Sequence, residues 1–202
     1  MLTPEPRTAA PPRQVIPYPT GLTRIVLRTP LLLQRAGLGW LLNLFHVTIL
    51  TTQGRKSGLP RHTPIEYRMH GTKVYMVSGW GEQPNWVQNL KAHPKVALQT
   101  GNRSYGATAH IVDDTGEILR TLFLFRKRAP AIYDALIARI TEAEEVSAHS
   151  LPDLANQLTV VRLDLEPEGP ALPVLQADLR WVLPVVLTTG AALAVIGRVR
   201  RS

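Results

Sequence analysis

Six short runs rich in β-branched and apolar residues, set at hairpin spacing, restrict this chain more than any other feature. They are Val47–Thr52, Thr63–Met69, Lys73–Ser78, Lys95–Thr100, Ser104–Val112 and Leu158–Leu165. His70-Gly71 and Gly101-Asn102 stand between consecutive runs and are turn signals. The last run alternates Val161, Leu163 and Leu165 with Arg162, Asp164 and Glu166, the period of a strand with one buried face. Short helices are expected at Asn85–Ala92, capped near Pro84-Asn85, and from Asp114-Thr115-Gly116-Glu117, which has the spacing of a capping box. The second helical region continues, with a break at Pro130, to about Ala143. Strands separated mostly by turns cannot have helical crossovers between them, so the pattern predicts a mainly β, α+β fold. Its centre is a six-stranded antiparallel split β-barrel with short flanking helices.

Between the first two runs lies Gln53-Gly54-Arg55-Lys56-Ser57-Gly58-Leu59-Pro60-Arg61. Two glycines bracket two cations and a hydroxyl, and Arg61 adds a third cation. Glycine permits positive φ and leaves the backbone accessible, so the loop predicts an anion cradle of amides, a serine hydroxyl and charge-assisted contacts. The alternative is a basic hairpin tip in solvent. A P-loop is excluded by spacing, since the two positions that require glycine hold Arg55 and Leu50. The formal charge of +8 and pI near 10.3 likewise favour an anionic partner. The cations are dispersed over the chain without an aromatic-plus-basic motif, which argues against nucleic acid. There is no cysteine, and the six histidines show no ligand spacing, so no metal site is expected.

At 202 residues, 45% of them hydrophobic and 19% charged, the chain suits one folded domain with appendages. Residues 1–20 read as a disordered arm without a secretory signal, and 21–45 as an amphipathic helix with Arg24, Arg28 and Arg35 on one side. That helix suits a membrane interface or simple packing on the domain. Residues 46–166 form the barrel, 167–180 a linker, and 181–202 a hydrophobic tail whose Trp181–Gly197 stretch has no charge. The tail is expected to span a membrane or lie in its interface. The location implied is the cytoplasmic side of a membrane, peripheral or tail-anchored, or otherwise the cytoplasm.

Four spaced blocks carry a resemblance. They are Thr51-Thr52-x-Gly-Arg-Lys-Ser-Gly-x-x-Arg61-x-x-Pro64, Val77-Ser78-Gly79-Trp80-Gly81, Asn85-Trp86-x-x-Asn89-Leu90 and Pro94. Together they resemble the deazaflavin (F420)-dependent nitroreductase family of split-barrel flavin and deazaflavin oxidoreductases. The resemblance implies that Arg55, Lys56, Ser57 and Arg61 bind the phosphate and oligoglutamate tail of F420. It also implies that Pro64 and the Val77-Ser78-Gly79 backbone border the deazaflavin ring. Trp86 and Asn89, one helical turn apart, would wall the cofactor, although plain core and a helix anchor are the alternatives. Ser78 would hydrogen-bond the acceptor or ring, and Tyr133 or a bound water would supply a proton.

The activity implied is hydride transfer to a lipophilic acceptor, a quinone or nitro compound. FMN is the alternative cofactor, a non-catalytic membrane-associated F420-binding protein the alternative function, and a homodimer the expected assembly. Two departures limit the transfer. Glu66 stands where well-known members have tyrosine, and Tyr133 is the one tyrosine in a segment that is tyrosine-rich in those members.

Overall fold

The computed structural model describes residues 21, 26–128, 133–134, 158–178 and 180. Seven strands build one sheet: β1 (Val47–Gln53), β2 (Pro60–Glu66), β3 (Arg68–His70), β4 (Lys73–Ser78), β5 (Lys95–Thr100), β6 (Arg103–Ile111) and β7 (Thr159–Glu166). Their order is β2-β1-β5-β6-β7-β4-β3, and every neighbouring pair is antiparallel.

The expected six strands are therefore corrected to seven, because the run Thr63–Met69 divides at Tyr67. The Tyr67 N–H donates to the His46 carbonyl (2.9 Å), which ends the β1–β2 ladder. From Arg68 onward the chain pairs with β4 instead, Arg68 opposite Tyr75. β2 and β3 thus lie at the two edges of the sheet with one residue between them. Laid flat, those edges would be roughly 29 Å apart, six strand spacings, whereas one residue bridges about 4 Å. The sheet has to curl, and β2 meets β4 across the seam. Pro60 and Pro64 sit in β2 without cost to the ladder because β2 is an edge strand.

Curling gives the sheet an inner and an outer face, each with its own core. Inside, Leu50, Val74, Met76, Val96, Leu98, Ala107, Val161 and Leu163 pack together. Helix α2 (Asn85–Ala92) closes this space with Leu90, and with Trp86 partly buried beside it. Outside, Tyr75 and Val160 lie beneath Ile118, Leu122 and Phe125 of helix α3 (Thr115–Arg128). The cap expected at Asp114 is present, since its Oδ1 accepts the Glu117 N–H at 2.7 Å. The Glu117 carboxylate does not complete the box. It accepts from the Tyr75 hydroxyl (2.7 Å) and from Arg162, bolting α3 to β4 and β7.

Within 21–45, the described part is helical at α1 (Thr29–Arg35) and 3-10 at Gly39–Phe45, with Gly37 at φ 74 between them. The stretch that reads as a linker lies against the barrel. Gly169 crosses Gly106 so closely that a Cβ on Gly106 would be 2.0 Å from its carbonyl oxygen. Further on, Leu175 and the Gln99 carboxamide exchange two hydrogen bonds (2.7 and 2.9 Å). No helix among the described residues is long and apolar enough to cross a membrane. The arm, the hydrophobic tail and most of the expected helical stretch from Pro130 to Ala143 lie outside those residues.

The bonds from Tyr75 and then Arg162 hold the Glu117 carboxyl below the ordinary carboxylate range. A group with a depressed folded pKa adds stability above its unfolded pKa and loses it as pH falls through the folded one. Glu117→Gln should therefore lower stability by about 1–2 kcal/mol at neutral pH, and the loss should shrink as pH falls below the ordinary carboxylate range. Urea melts of both proteins across that range check this.

Candidate functional site

The loop joining β1 to β2 is built by its own backbone. Gly54 N–H donates to Leu59 O (2.9 Å), and the N–H groups of Ser57 and Gly58 both donate to Gly54 O (3.2 and 2.7 Å). Gly58 takes φ 67, the left-handed value that lets the chain re-enter β2. At Gly54 a Cβ would lie 2.8 Å from Ser57 Oγ and 3.1 Å from Leu59 O, so the tight turn needs both glycines. The Arg55 N–H donates to Asn89 Oδ1 (3.2 Å), and the Leu59 N–H approaches Ser57 Oγ at 3.4 Å.

This corrects the expected cradle of amides. The N–H groups of Gly54, Arg55, Ser57 and Gly58 are engaged within the fold, which leaves only the Lys56 N–H of this bracketed stretch open, so anion binding here rests chiefly on side chains. Arg55, Lys56, Ser57 and Arg61 are exposed. Ser57 Oγ accepts from Arg61 Nη2 (3.3 Å), which leaves the hydroxyl hydrogen to be donated outward. No carboxylate occurs in the sequence from Thr51 to Ile65, so nothing within the loop neutralises these cations.

Arg55 differs from its neighbours. Its Nη1 donates to Asn85 Oδ1 (3.0 Å) and Asn89 Oδ1 (3.2 Å), both on α2. Asn89, 4% exposed, also donates from Nδ2 to Thr52 Oγ1 (3.2 Å). Its carboxamide joins strand, loop and helix, the anchoring role rather than a ring contact. Trp86 packs on the inner core.

The remaining predicted residues form a second group at the seam. Strand alternation puts Met76 in the inner core and Val77 against the outer one, so Ser78 and Val77 face opposite sides of β4. Ser78 is buried and donates its hydroxyl to Gly81 O (2.6 Å), shaping the Gly79–Gly81 turn that leads to α2. Pro64 lies on β2 opposite Ile49. Tyr133, like Val77, packs against the outer core, edge-on to Phe125 (5.7 Å), on the far side of β4 from Ser78. The two expected catalytic residues are thus not brought together.

Sequence reasoning missed what Tyr133 touches. Its hydroxyl donates to Glu66 Oε2 (2.6 Å), while Glu66 Oε1 accepts from Arg68. Arg68 is buried, its guanidinium 4.9 Å over the Phe125 ring. Burial, and then the bond to Glu66, push the Tyr133 phenol well above its ordinary value. The i, i+2 spacing of Glu66 and Arg68 was a legible signal for one strand face. Tyr133, distant in sequence, gave none. Glu66, which stands where well-known members have tyrosine, is therefore a carboxylate paired with Arg68 and Tyr133.

A curled antiparallel barrel carrying a cationic hairpin loop over a short helix defines the class as split-barrel-like. Within that class the chain belongs to the F420H(2)-dependent quinone reductase family, whose model matches residues 28–142. It is 36% identical over 64 residues to an F420H(2)-dependent quinone reductase of Mycobacterium tuberculosis, covering 30% of this chain and 43% of that protein. The Mycobacterium bovis relative gives the same figures. The chain thus spans under half the length of these curated relatives. Among solved structures, an F420-H2 dependent reductase, FDR-A, has a TM-score of 0.42 and 23% identity, covering 58% of this chain and 93% of that one.

Gly58→Ala should cost about 1–2 kcal/mol, the penalty for an L-residue in the left-handed region. Gly54→Ala should cost more, because it meets the Leu59 carbonyl as well as the Ser57 hydroxyl. Denaturant midpoints of the two variants test the order.

Proposed function

We propose that the chain binds coenzyme F420 at the β1–β2 loop and serves the reduction of a quinone. The observation that carries this is the exposed set of Lys56, Arg61 and Ser57, whose hydroxyl hydrogen is free to be donated, with no carboxylate among them. This donor set fits a phosphate and an oligoglutamate tail, which need cations and hydroxyl donors in partial solvent exposure. Membership of the F420H(2)-dependent quinone reductase family supports the cofactor and the acceptor class.

When bound, reduced F420 supplies a hydride, and the protein's part is to orient and to exclude side reactions. Here Lys56, Ser57 and Arg61 would hold the anionic end, and Pro64 and the Val77-Ser78-Gly79 backbone would border the ring. The hydroxyl hydrogens of Ser78 and Tyr133 each have an acceptor within the protein, Gly81 O and Glu66 Oε2. Giving up the Tyr133 proton would place a phenolate against a carboxylate, which Coulomb repulsion opposes. The proton that completes a quinol is accordingly drawn from solvent, and Tyr133 with Glu66 forms a fixed wall.

A peripheral membrane location on the cytoplasmic side belongs to this reading. It is favoured by Trp40, Leu44 and Phe45 of the 3-10 segment, which are 52%, 67% and 72% exposed, and by Arg28 and Arg35 nearby in sequence. Such attachment would bring the site to a lipid-dissolved acceptor. Co-sedimentation with anionic vesicles should fall for the Leu44→Ser, Phe45→Ser double variant.

Parallel fluorescence titrations with F420 and FMN test the cofactor. Wild type should bind F420 in preference to FMN, and Lys56→Ala or Arg61→Ala should weaken it roughly tenfold or more, as expected for a lost charge-assisted bond. Equal binding of FMN, or an unchanged affinity in Lys56→Ala, overturns the assignment. With menaquinone as acceptor, Tyr133→Phe should retain turnover within about threefold. A loss of two orders of magnitude or more, the scale of a general acid, would restore Tyr133 as the proton donor.

A further inference from the structure

We propose that Arg55 is a positioning residue and not a ligand of the bound anion, and that Asn89 and Asn85 of α2 set the shape of the cationic loop through it. The inference rests on the anion-loop reading above and assigns the division of labour within it.

Three observations carry it. First, one carboxamide oxygen, Asn89 Oδ1, accepts from both the backbone N–H and the side-chain Nη1 of Arg55 (3.2 Å each). A side chain meant to reach an external anion gains nothing from being tethered to the same atom as its own backbone. A side chain meant to fix its backbone gains a second point of attachment. Second, Nη1 is shared with Asn85 Oδ1 at 3.0 Å, so the guanidinium spans α2 between positions one helical turn apart. Third, Asn89 is itself immobilised: it is 4% exposed, and its Nδ2 donates to Thr52, which has no exposed surface. The anchor is thus in the barrel wall, and Arg55 transmits its position to the loop.

The contrast with Ser57 and Arg61 is instructive. Their mutual bond uses Ser57 Oγ as the acceptor and leaves the hydroxyl hydrogen free to be donated, whereas the contacts of Arg55 run to α2. Because the guanidinium of Arg55 is what joins the loop to both asparagines of α2, lysine is a discriminating replacement. Lysine keeps the charge but ends one atom short of Nη1, the single nitrogen that bonds both asparagines, and lacks the planar group that holds that nitrogen in place.

The test uses the full chain and two readouts. Amide hydrogen exchange of residues 54–59 is measured without ligand, and F420 affinity is measured over a range of salt concentrations. Arg55→Lys and Asn89→Ala should each raise exchange of the loop severalfold, while Lys56→Ala leaves it at the wild-type rate. In binding, Lys56→Ala should flatten the salt dependence, because a screened charge contact is lost. Arg55→Lys and Arg55→Ala should both weaken binding, by about three- to tenfold, with the wild-type salt dependence retained. The Arg55→Ala, Asn89→Ala double variant should be no worse than the poorer single variant, because both remove the same tether.

The proposal is overturned if Arg55→Lys behaves as wild type in exchange and affinity, or if Arg55→Ala flattens the salt dependence as Lys56→Ala does. Should Asn89→Ala not fold, the exposed Asn85→Ala serves instead and is expected to raise loop exchange in the same direction. A wild-type protein that ignores F420 would sink the cofactor reading, while the exchange data would still decide whether Arg55 anchors the loop.

Discussion

The passage of the chain through Tyr67 is the constraint on which the rest depends. One residue links the two edges of a seven-stranded sheet, so closure is enforced covalently and does not have to be gained from edge pairing. Closure creates an interior narrow enough for Leu50, Met76, Leu98 and Leu163 to fill. It also fixes the direction of the β1–β2 hairpin, whose far end is the cationic loop. α2 can then fill the inner core and at the same time offer Asn85 and Asn89 to that loop. The Tyr67 amide bond to His46 is the point at which this begins, and His46 reaches it with a left-handed backbone (φ 53).

Much of this was legible in the sequence, and what was not has identifiable causes. Turn chemistry at Gly71 and Gly101 and the period of Val161, Leu163 and Leu165 were local signals, and the strands they announce are present. The Asp114 cap was equally local. The break at Tyr67 was invisible because the alternation is unbroken across it. Ile65 and Tyr67 pack on the inner core, while Glu66 meets Tyr133 and Arg68 lies over Phe125, both of the outer group. Strand period reports which face a residue takes; it carries no information about which strand it pairs with. The loop was legible as cationic, but not the engagement of its amides: those of Gly54, Ser57 and Gly58 are taken up by carbonyls within the loop, and that of Arg55 by Asn89, which is remote in sequence. The 167–180 stretch has a linker's composition, and its place against the barrel shows only in the fold, through the crossing of Gly169 over Gly106 and the two bonds between Leu175 and Gln99.

The chain uses one arrangement twice on the outer face. Tyr75, Glu117 and Arg162 form one group, and Tyr133, Glu66 and Arg68 the other. In each, a substantially buried arginine requires a carboxylate, and a phenol satisfies the carboxylate's bonding capacity. One group fastens the start of α3 to β4 and β7, and the other fastens Tyr133 to the β2–β3 corner. Removing Arg68 or Glu66 would leave a charge without its ion-pair partner, and removing Arg162 would do the same to Glu117, which makes these groups poor sources of chemistry and good sources of rigidity.

That distribution of charge bears directly on the site. Glu66 and Glu117 are committed to arginines on the outer face, and Glu82 to Lys91 on α2. From Thr51 to Ile65 the chain has cations and hydroxyls and no acid. Of the loop cations, Arg55 is drawn onto two neutral carboxamides, which orient a guanidinium without cancelling its charge. The field at the loop therefore stays positive while its geometry is fixed from below. A carboxylate at position 85 or 89 would hold Arg55 as firmly and would weaken the attraction for an anion. Asparagine at both positions reconciles a rigid loop with an electropositive one, and this is the physical reason to place the anion at Lys56, Ser57 and Arg61, with the anchor at Arg55.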